Sequence, residues 1–476
     1  MILPTSRSAL GRRHGAAALP AIALTLALGC SGDVTPPGSD DAAAGTTDGG
    51  SEDGPAGTDA DTGAADSTTS QDEPLTYHRD IRPVLERHCV SCHSDGQIAP
   101  YALTSYAEVE PLREAIAAAV SSRQMPPWNP RPGCAEYVGD PSLTDEAMAA
   151  VTAWAEGDAL EGDAADFVPP TLPEPSGISR VDTSLTLAEP YTPQLAPDDY
   201  RCFVMDWPYE EATYITGFEV VPDNLDTVHH VISYAIEPEA VATYEALDAN
   251  DPGPGYTCFG GPGGGGTSFS NGRWLGAWAP GAQTSDFPAG TGLRMEPGSK
   301  VVVQIHYNSV AGEAGPDQST IDYRVDPTVE REAYMMPWTD PDWVAGGMYI
   351  PPDSASTTHV WELDPTAVMS FITDVIPPNE PIEIHSVSHH MHLRGAQAQQ
   401  QIKRADGTSD CLVEIDDYDF NWQTRYRFGA PKILNPGDQL SLTCNWDNSG
   451  NDAGINWGEG TEDEMCLGVY FIAPLP

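Results

Sequence analysis

Positive charge is what this sequence lacks most. Against 71 aspartates and glutamates it sets only 22 lysines and arginines, a formal net charge of −49 over 476 residues. So acidic a surface repels phosphate backbones and anionic headgroups, which argues against nucleic acid as a partner and leaves solubility as the plain reason for the charge. Long apolar runs are missing too: the apolar stretch at residues 15–29 falls short of the roughly 20 residues that cross a bilayer. The glycine-rich run at residues 260–266 is not followed by Gly-Lys-Ser/Thr, so it reads as a loop and not as a phosphate cradle.

What is present begins with an export signal. Arg7, Arg12 and Arg13 precede the apolar stretch, which ends in Ala27-Leu28-Gly29-Cys30. That ending resembles a bacterial lipobox, with Ala27 where Leu is commoner, and implies lipidation of Cys30. The alternative is an ordinary cleaved signal peptide. Either way the chain is exported; a lipidated Cys30 would hold it to the bacterial membrane lipid, facing the periplasm or the cell surface. Residues 1–30 are thus the signal. Residues 31–75, Asp, Gly, Ala, Thr and Ser with no Lys or Arg, predict a disordered acidic linker. A second linker, rich in Pro and acid, is expected at 163–182.

Between the linkers, residues 76–162 show helical periodicity. Ile81, Val84, Leu85 and His88 mark one helix, with Pro83 tolerated in its first turn; Val109, Leu112, Ile116 and Val120 mark a second. Met148, Val151 and Trp154 mark a third, begun at Thr144 and closed near Gly157. After the first helix stands Cys89-Val90-Ser91-Cys92-His93. Two thiols at this spacing suit addition to the two vinyl groups of one haem, with the adjacent imidazole on its iron. Half a zinc site is the alternative, with His78, His88 and Cys134 as further ligands, but no second paired motif supports it. A soft sixth ligand is expected downstream, and Met125 in Gln-Met-Pro-Pro-Trp suits it, whereas Met148 belongs to an apolar stripe. The block resembles the small all-α class I-like cytochrome c domains, which implies one covalent haem c.

Beyond residue 180, short alternating segments separated by Gly, Pro, Asn and Asp predict antiparallel β-sandwiches. In Lys300–Asn308, Val301, Val303, Ile305 and Tyr307 fall on one face and Val302, Gln304, His306 and Asn308 on the other. Histidines gather here: His229-His230, His306, and His385, His389, His390 and His392. Taken singly, each is more often structural than a ligand. On a strand, His390 and His392 would share a face, while His229 and His230 would point apart unless the backbone bulges.

His229-His230, His306 in Gln-Ile-His-Tyr, His390-x-His392 and Asp463-Glu464-Met465-Cys466, in that order, resemble the copper type II, ascorbate-dependent monooxygenases. The resemblance spans about residues 185–474. It implies two successive eight-stranded jelly rolls, at 183–327 and 328–476, so that the whole is a multidomain chain of one small all-α domain and two all-β sandwiches. It implies two coppers: an electron-storing one on His229, His230 and His306, and an O₂-binding one on the catalytic set His390, His392 and Met465. Independently, a thioether is soft and favours Cu(I), the state that meets O₂. Two departures stand out: Val231 follows the histidine pair where Met is usual, and Ser388 takes the place of an Arg that anchors a substrate carboxylate in the peptide-amidating branch. A glycine-extended peptide is therefore not the expected substrate.

Six cysteines remain after Cys30 and the haem pair, an even number that suits an oxidising compartment. The resemblance implies Cys444–Cys466. Cys202–Cys258 would brace the loop near the histidine pair, and Cys134–Cys411 is what is left. The expected function is a copper-dependent monooxygenase acting on a small molecule and O₂, with electrons supplied through the haem. The alternative is a non-catalytic electron-transfer or copper-binding lipoprotein. Neither the substrate nor the external electron donor is written in the residues.

Overall fold

The computed structural model describes residues 73–476, apart from 96, 98, 173–176, 260, 264–271, 280–281, 283 and 309–314. These residues belong to one unit, Gln71–Pro476. The export signal, Cys30, nearly all of the acidic linker and most of the 260–266 run lie outside the described residues. Among the described residues no helix is long and apolar enough to cross a membrane.

Residues 77–157 are helical where apolar spacing predicts it. A turn at Tyr77–Ile81 runs into the helix Arg82–His88, with its proline at a position where the N–H has no intrahelical acceptor. The second helix is broken into Tyr106–Val109, a 3₁₀ turn at Glu110–Leu112, and Arg113–Ser121. Pro111 explains the break, since it donates no hydrogen bond and its ring crowds the preceding turn. The third helix, Asp145–Glu156, starts where Thr144 Oγ1 accepts the Ala147 N–H at 3.2 Å and ends at Gly157. Tyr77, Ile81, Leu85, Val109, Val120, Val151 and Trp154 form the core between them.

The first β-sandwich has a five-stranded sheet in the order Tyr256–Thr257, Asp198–Asp206, Lys300–Asn308, Val228–Ile236, Arg273–Trp278. Its second sheet includes Thr183–Thr186, Thr320–Asp326, Thr213–Val221 and Thr291–Met295. Lys300–Asn308 departs from the half-exposed strand that its alternation predicts: Val301 through Tyr307 are all buried. It is central, paired on both sides, and its polar face is covered by Tyr200 on His306 and by Cys258 and Gly261 on Gln304.

The second sandwich has two four-stranded sheets. Tyr334–Trp338, Leu467–Pro474, Ile382–His390 and Arg425–Leu434 form one; Thr357–Leu363, Gln439–Trp446, Gly395–Lys403 and Ser409–Ile415 form the other. Tyr470 and Ile472 face the second sandwich's own core, while Leu467, Val469 and Phe471 on the opposite face of the strand join the first sandwich's core, so the two sandwiches share apolar contact. The crossing falls after Arg331–Glu332, which still pairs with the first sandwich.

The helical block is fastened to the second sandwich. Cys134 is bonded to Cys411, and Arg131 donates its N–H to the Glu414 carbonyl at 2.6 Å while its guanidinium pairs with Glu414 and Asp416. Trp128 packs edge-on against Tyr426 at 5.3 Å and Tyr137 stacks on Phe428 at 5.9 Å. The other two disulfides are Cys202–Cys258 and Cys444–Cys466, so all three expected pairs are present.

Candidate metal centre

The first imidazole cluster depends on a bulge. Val228 pairs with Tyr307 and His230 with His306, which leaves His229 as an extra residue in its strand. Such an insertion rotates the backbone locally and brings neighbouring side chains to the same side. His229 Nδ1 lies 3.4 Å from His230 Nδ1, which lies 3.2 Å from His306 Nδ1. These separations suit nitrogens that each sit roughly 2.0 Å from one ion. Burial, with His306 next in effect, pulls His229 down to about 4 and His230 well below the usual range. At neutral pH both rings are therefore uncharged and free to ligate.

His306 is oriented from behind. Its Nε2–H donates to Asp198 Oδ1 at 2.8 Å, so Nδ1 is the nitrogen left to ligate. Burial alone would push the Asp198 carboxyl up; hydrogen bonds from His306, Thr461 and Asn308 bring it down to about 2. Tyr200 stacks on His306 at 4.1 Å with the rings 3° from parallel. Its hydroxyl reaches across to the Glu459 carbonyl of the second sandwich at 2.9 Å.

The second cluster uses the other ring nitrogens. His390 closes the strand Ile382–His390, and His392 stands in the turn after it, not on the strand as the alternation suggests. His390 Nδ1–H bonds to Gln423 Oε1, whose amide orientation is set by Nε2 donating to the Phe420 carbonyl at 2.8 Å. His392 Nδ1–H donates to the Asp463 carbonyl at 3.1 Å. Both rings thus turn Nε2 outward. Burial lowers both, His392 to about 3. Glu464 accepts the backbone N–H groups of His392 at 2.9 Å and Arg394 at 2.5 Å, and the Trp446 indole at 2.9 Å. The Asp-Glu-Met-Cys segment thereby clamps the His392 turn beside Met465, which is 5% exposed and begins the approach to the strand Leu467–Pro474.

The two clusters meet. His230 and His390 have ring centroids 6.4 Å apart, and Phe420 stacks on His229 at 5.0 Å while facing His392 edge-on at 6.0 Å. His229, His230, His390, His392 and Met465 line one cavity, walled by Trp274, Trp278, Ile232 and Phe420. The neighbouring histidines do other work. His389 is held by Gln400 and Cys444, and His385 pairs with Glu383 at 3.1 Å. Residue spacing pointed to the ligand types, but not to Asp198, Gln423, Phe420 or Arg425. Arg425 stands directly across the sheet from Ser388 and also lines the cavity.

In the helical block, Cys89, Cys92 and His93 form one turn, closed by Cys92 N–H and His93 N–H on the Cys89 carbonyl at 3.1 and 2.9 Å. Both thiols are free and half-buried, and burial pushes the Cys89 thiol up to about 12. His93 Nδ1 bonds to the Tyr101 carbonyl at 3.1 Å. Met125 follows the second helix on a loop and is 38% exposed. The zinc alternative loses one of its candidates, since Cys134 is in a disulfide.

Two fused β-sandwiches each present neutral imidazoles to a shared cavity, and His229, His230 and His306 form a group able to hold a metal ion. Residues 185–314 match the copper type II ascorbate-dependent monooxygenase N-terminal domain, and residues 343–473 match the C-terminal domain. The two matches together take in more than half of the chain, which belongs to this family. It is similar to the human "Putative DBH-like monooxygenase protein 2", 25% identical over 292 residues, covering 59% of this chain and 55% of that protein. It is also similar to the human "DBH-like monooxygenase protein 1", 26% identical over 212 residues, with 42% and 32% covered. Mouse "DBH-like monooxygenase protein 2" is 25% identical over 291 residues, with 59% and 44% covered. The chain thus spans from about a third to just over half of the length of these relatives. The VP2 subviral particle of infectious bursal disease virus aligns with 61% of this chain and 71% of its own at 8% identity and a TM-score of 0.16, too low to bear on the fold.

Proposed function

We propose that this chain is an exported copper monooxygenase, tethered to a membrane through Cys30, that hydroxylates a C–H bond of a small molecule with electrons supplied through a fused c-type haem. The observation that carries the reading is the meeting of two unlike donor sets in one cavity, with His230 and His390 6.4 Å apart. Copper, when bound, supplies the redox chemistry of R–H + O₂ + 2e⁻ + 2H⁺ → R–OH + H₂O. His229, His230 and His306 would hold one ion through Nδ1. His390 and His392 would hold the other through Nε2, with Met465 adding the soft thioether that suits the reduced state.

The chain's own residues prepare this site. Asp198, Gln423 and the Asp463 carbonyl each take the proton-bearing nitrogen of a ligand ring, which fixes tautomer and orientation. Trp274, Trp278 and Phe420 line the cavity with aromatic surface and limit bulk water around it.

The helical block fits a covalent haem. Cys89 and Cys92 are the free thiols among the described residues, and the bond from His93 Nδ1 to the Tyr101 carbonyl leaves Nε2 for iron. Met125 is the proposed opposite ligand. Haem, when attached, supplies a one-electron carrier. The block's anchorage supports its role, because Cys411 and Tyr426 lie on the two strands that flank the loop bearing Phe420 and Gln423.

The test is oxygen uptake by copper-loaded, reduced protein during a screen of small organic compounds. Uptake that depends on one compound and yields its hydroxylated product supports the reading. Two bound coppers with no compound-dependent uptake would leave an electron-transfer protein instead.

A further inference from the structure

The cavity that holds the imidazoles also holds an arginine with nothing to bind. Arg425 lines it, opposite Ser388 in the sheet. Opposed residues in a sheet point to the same face, and His390 shares that face two residues further along. By strand dimensions the Arg425 and His390 backbones are about 8 Å apart.

Five other arginines of the β-domains reach carboxylates: Arg201 pairs with Asp251, Arg273 with Glu237, Arg324 with Asp286, Arg331 with Glu383 and Arg404 with Asp438; Arg394 and Arg427 share with Arg425 the lack of an ion pair among the described residues, but neither lines the cavity. The Arg425 side chain has no ion pair and no hydrogen bond among the described residues. Its charged neighbour is a second cation, Arg427, on the same strand face, and its nearest aromatic contact is the Phe287 ring, 5.6 Å away. Burial draws its basicity down to about 10, so it stays charged at neutral pH. The guanidinium is part-buried in an aromatic-lined cavity with no counter-charge beside it, and in a chain with 71 acidic residues a partner would have been easy to supply.

We propose that Arg425 is the substrate anchor, and that the substrate is a small carboxylic acid whose apolar or aromatic body lies along Trp274, Trp278 and Phe420. The planar fork of Arg matches a carboxylate bidentately, and the apolar walls suit a hydrocarbon skeleton better than a sugar or a phosphate ester. The anchor fixes which carbon is presented near His390 and Met465. The inference rests on the monooxygenase reading for its purpose, but its test does not depend on turnover.

Binding to the copper(II)-loaded full chain is measured by calorimetry and by quenching of tryptophan fluorescence. The probes are 3-phenylpropionate, indole-3-acetate and octanoate, each beside its neutral amide. At least one acid should bind about tenfold or more tighter than its amide, the range of a charge-assisted hydrogen bond. Arg425→Met should erase that preference with copper content unchanged. Arg425→Lys keeps the charge without the fork, guards against a folding defect, and should retain part of the preference. Acids that bind no better than their amides, or a preference that survives Arg425→Met, would overturn the proposal. An Arg425-dependent preference upholds the anchor whatever the oxygen uptake, and the monooxygenase reading fails separately, on the compound screen.

Discussion

Asp198 accepts the Nε2–H of His306 at 2.8 Å, and this single contact decides which nitrogen of His306 faces His230. The same carboxylate accepts the Thr461 hydroxyl at 2.9 Å, from the loop that leads to Met465. One residue of the first sandwich thus orients a ligand of one cluster and touches the segment that carries a ligand of the other.

Asp198→Ala should therefore weaken copper at the three-histidine site by about 10–100-fold, the usual cost of losing a partner behind a ligating histidine. Titration against a competing chelator, with copper(II) resonance spectra to tell the sites apart, reads this directly. His306→Ala should empty that site alone. Unchanged affinity in both variants would show that the cluster does not bind copper.

Met465→Ile keeps volume and apolarity at a 5% exposed position, so its cost should stay below about 1.5 kcal/mol. Hydroxylation should nonetheless vanish, because the soft ligand is gone while both imidazoles remain. Comparing melting temperature with oxygen uptake separates the two effects. Near wild-type turnover would remove Met465 from the ligand set.

Glu459 lines the cavity, and burial, with Asp463 beside it, pushes its carboxyl up to about 7. In the unfolded chain the group ionises near 4.5. Its contribution therefore favours folding below that value and declines as pH rises toward 7, by up to about 3 kcal/mol at 1.36 kcal/mol per unit. Glu459→Gln should flatten this part of the stability profile and make the variant relatively more stable above pH 7. Denaturant midpoints at pH 5 and pH 8 measure it; parallel profiles would refute the assignment.

Cys89→Ala combined with Cys92→Ala should abolish covalent haem on a denaturing gel while copper content persists. Replacing Met125 should remove the sulfur-to-iron charge-transfer band and shift the haem potential. In haem-reduced, copper(II)-loaded protein kept free of O₂, oxidation of the haem by copper(II) should proceed at a rate independent of protein concentration. Rates that scale with concentration would mean that the block serves another molecule.

Much of this was legible in residue order. Helices could be placed from apolar spacing because that spacing is local, and at Asp145–Glu156 Thr144 and Gly157 mark both ends. The requirement for a bulge at His229-His230 followed from strand alternation, and the bulge is there. Contacts made across the sheets were not legible. Asp198 lies 108 residues from His306 and Gln423 lies 33 from His390, so only register brings each pair together. The placement of His392 on a strand erred because Glu464 draws its backbone N–H out of the ladder. Arg425 left a trace: Arg425-Tyr426-Arg427-Phe428 puts two cations on one face of a strand in a chain poor in them.

The Cys134–Cys411 bond joins residues 277 apart, and the entire first sandwich lies between them. The polypeptide is therefore a covalent ring with that sandwich inside it. A protease cut in the stretch after the helical block opens the ring but releases nothing, because both pieces remain tied until the bond is reduced. Inside the ring, the first sandwich unfolds as a loop pinned at both ends, with less freedom to gain than a free chain would have. Nothing in this arrangement lets the helical block drift away from the second sandwich, so its access to the cavity is set by attachment and not by its concentration in the surroundings.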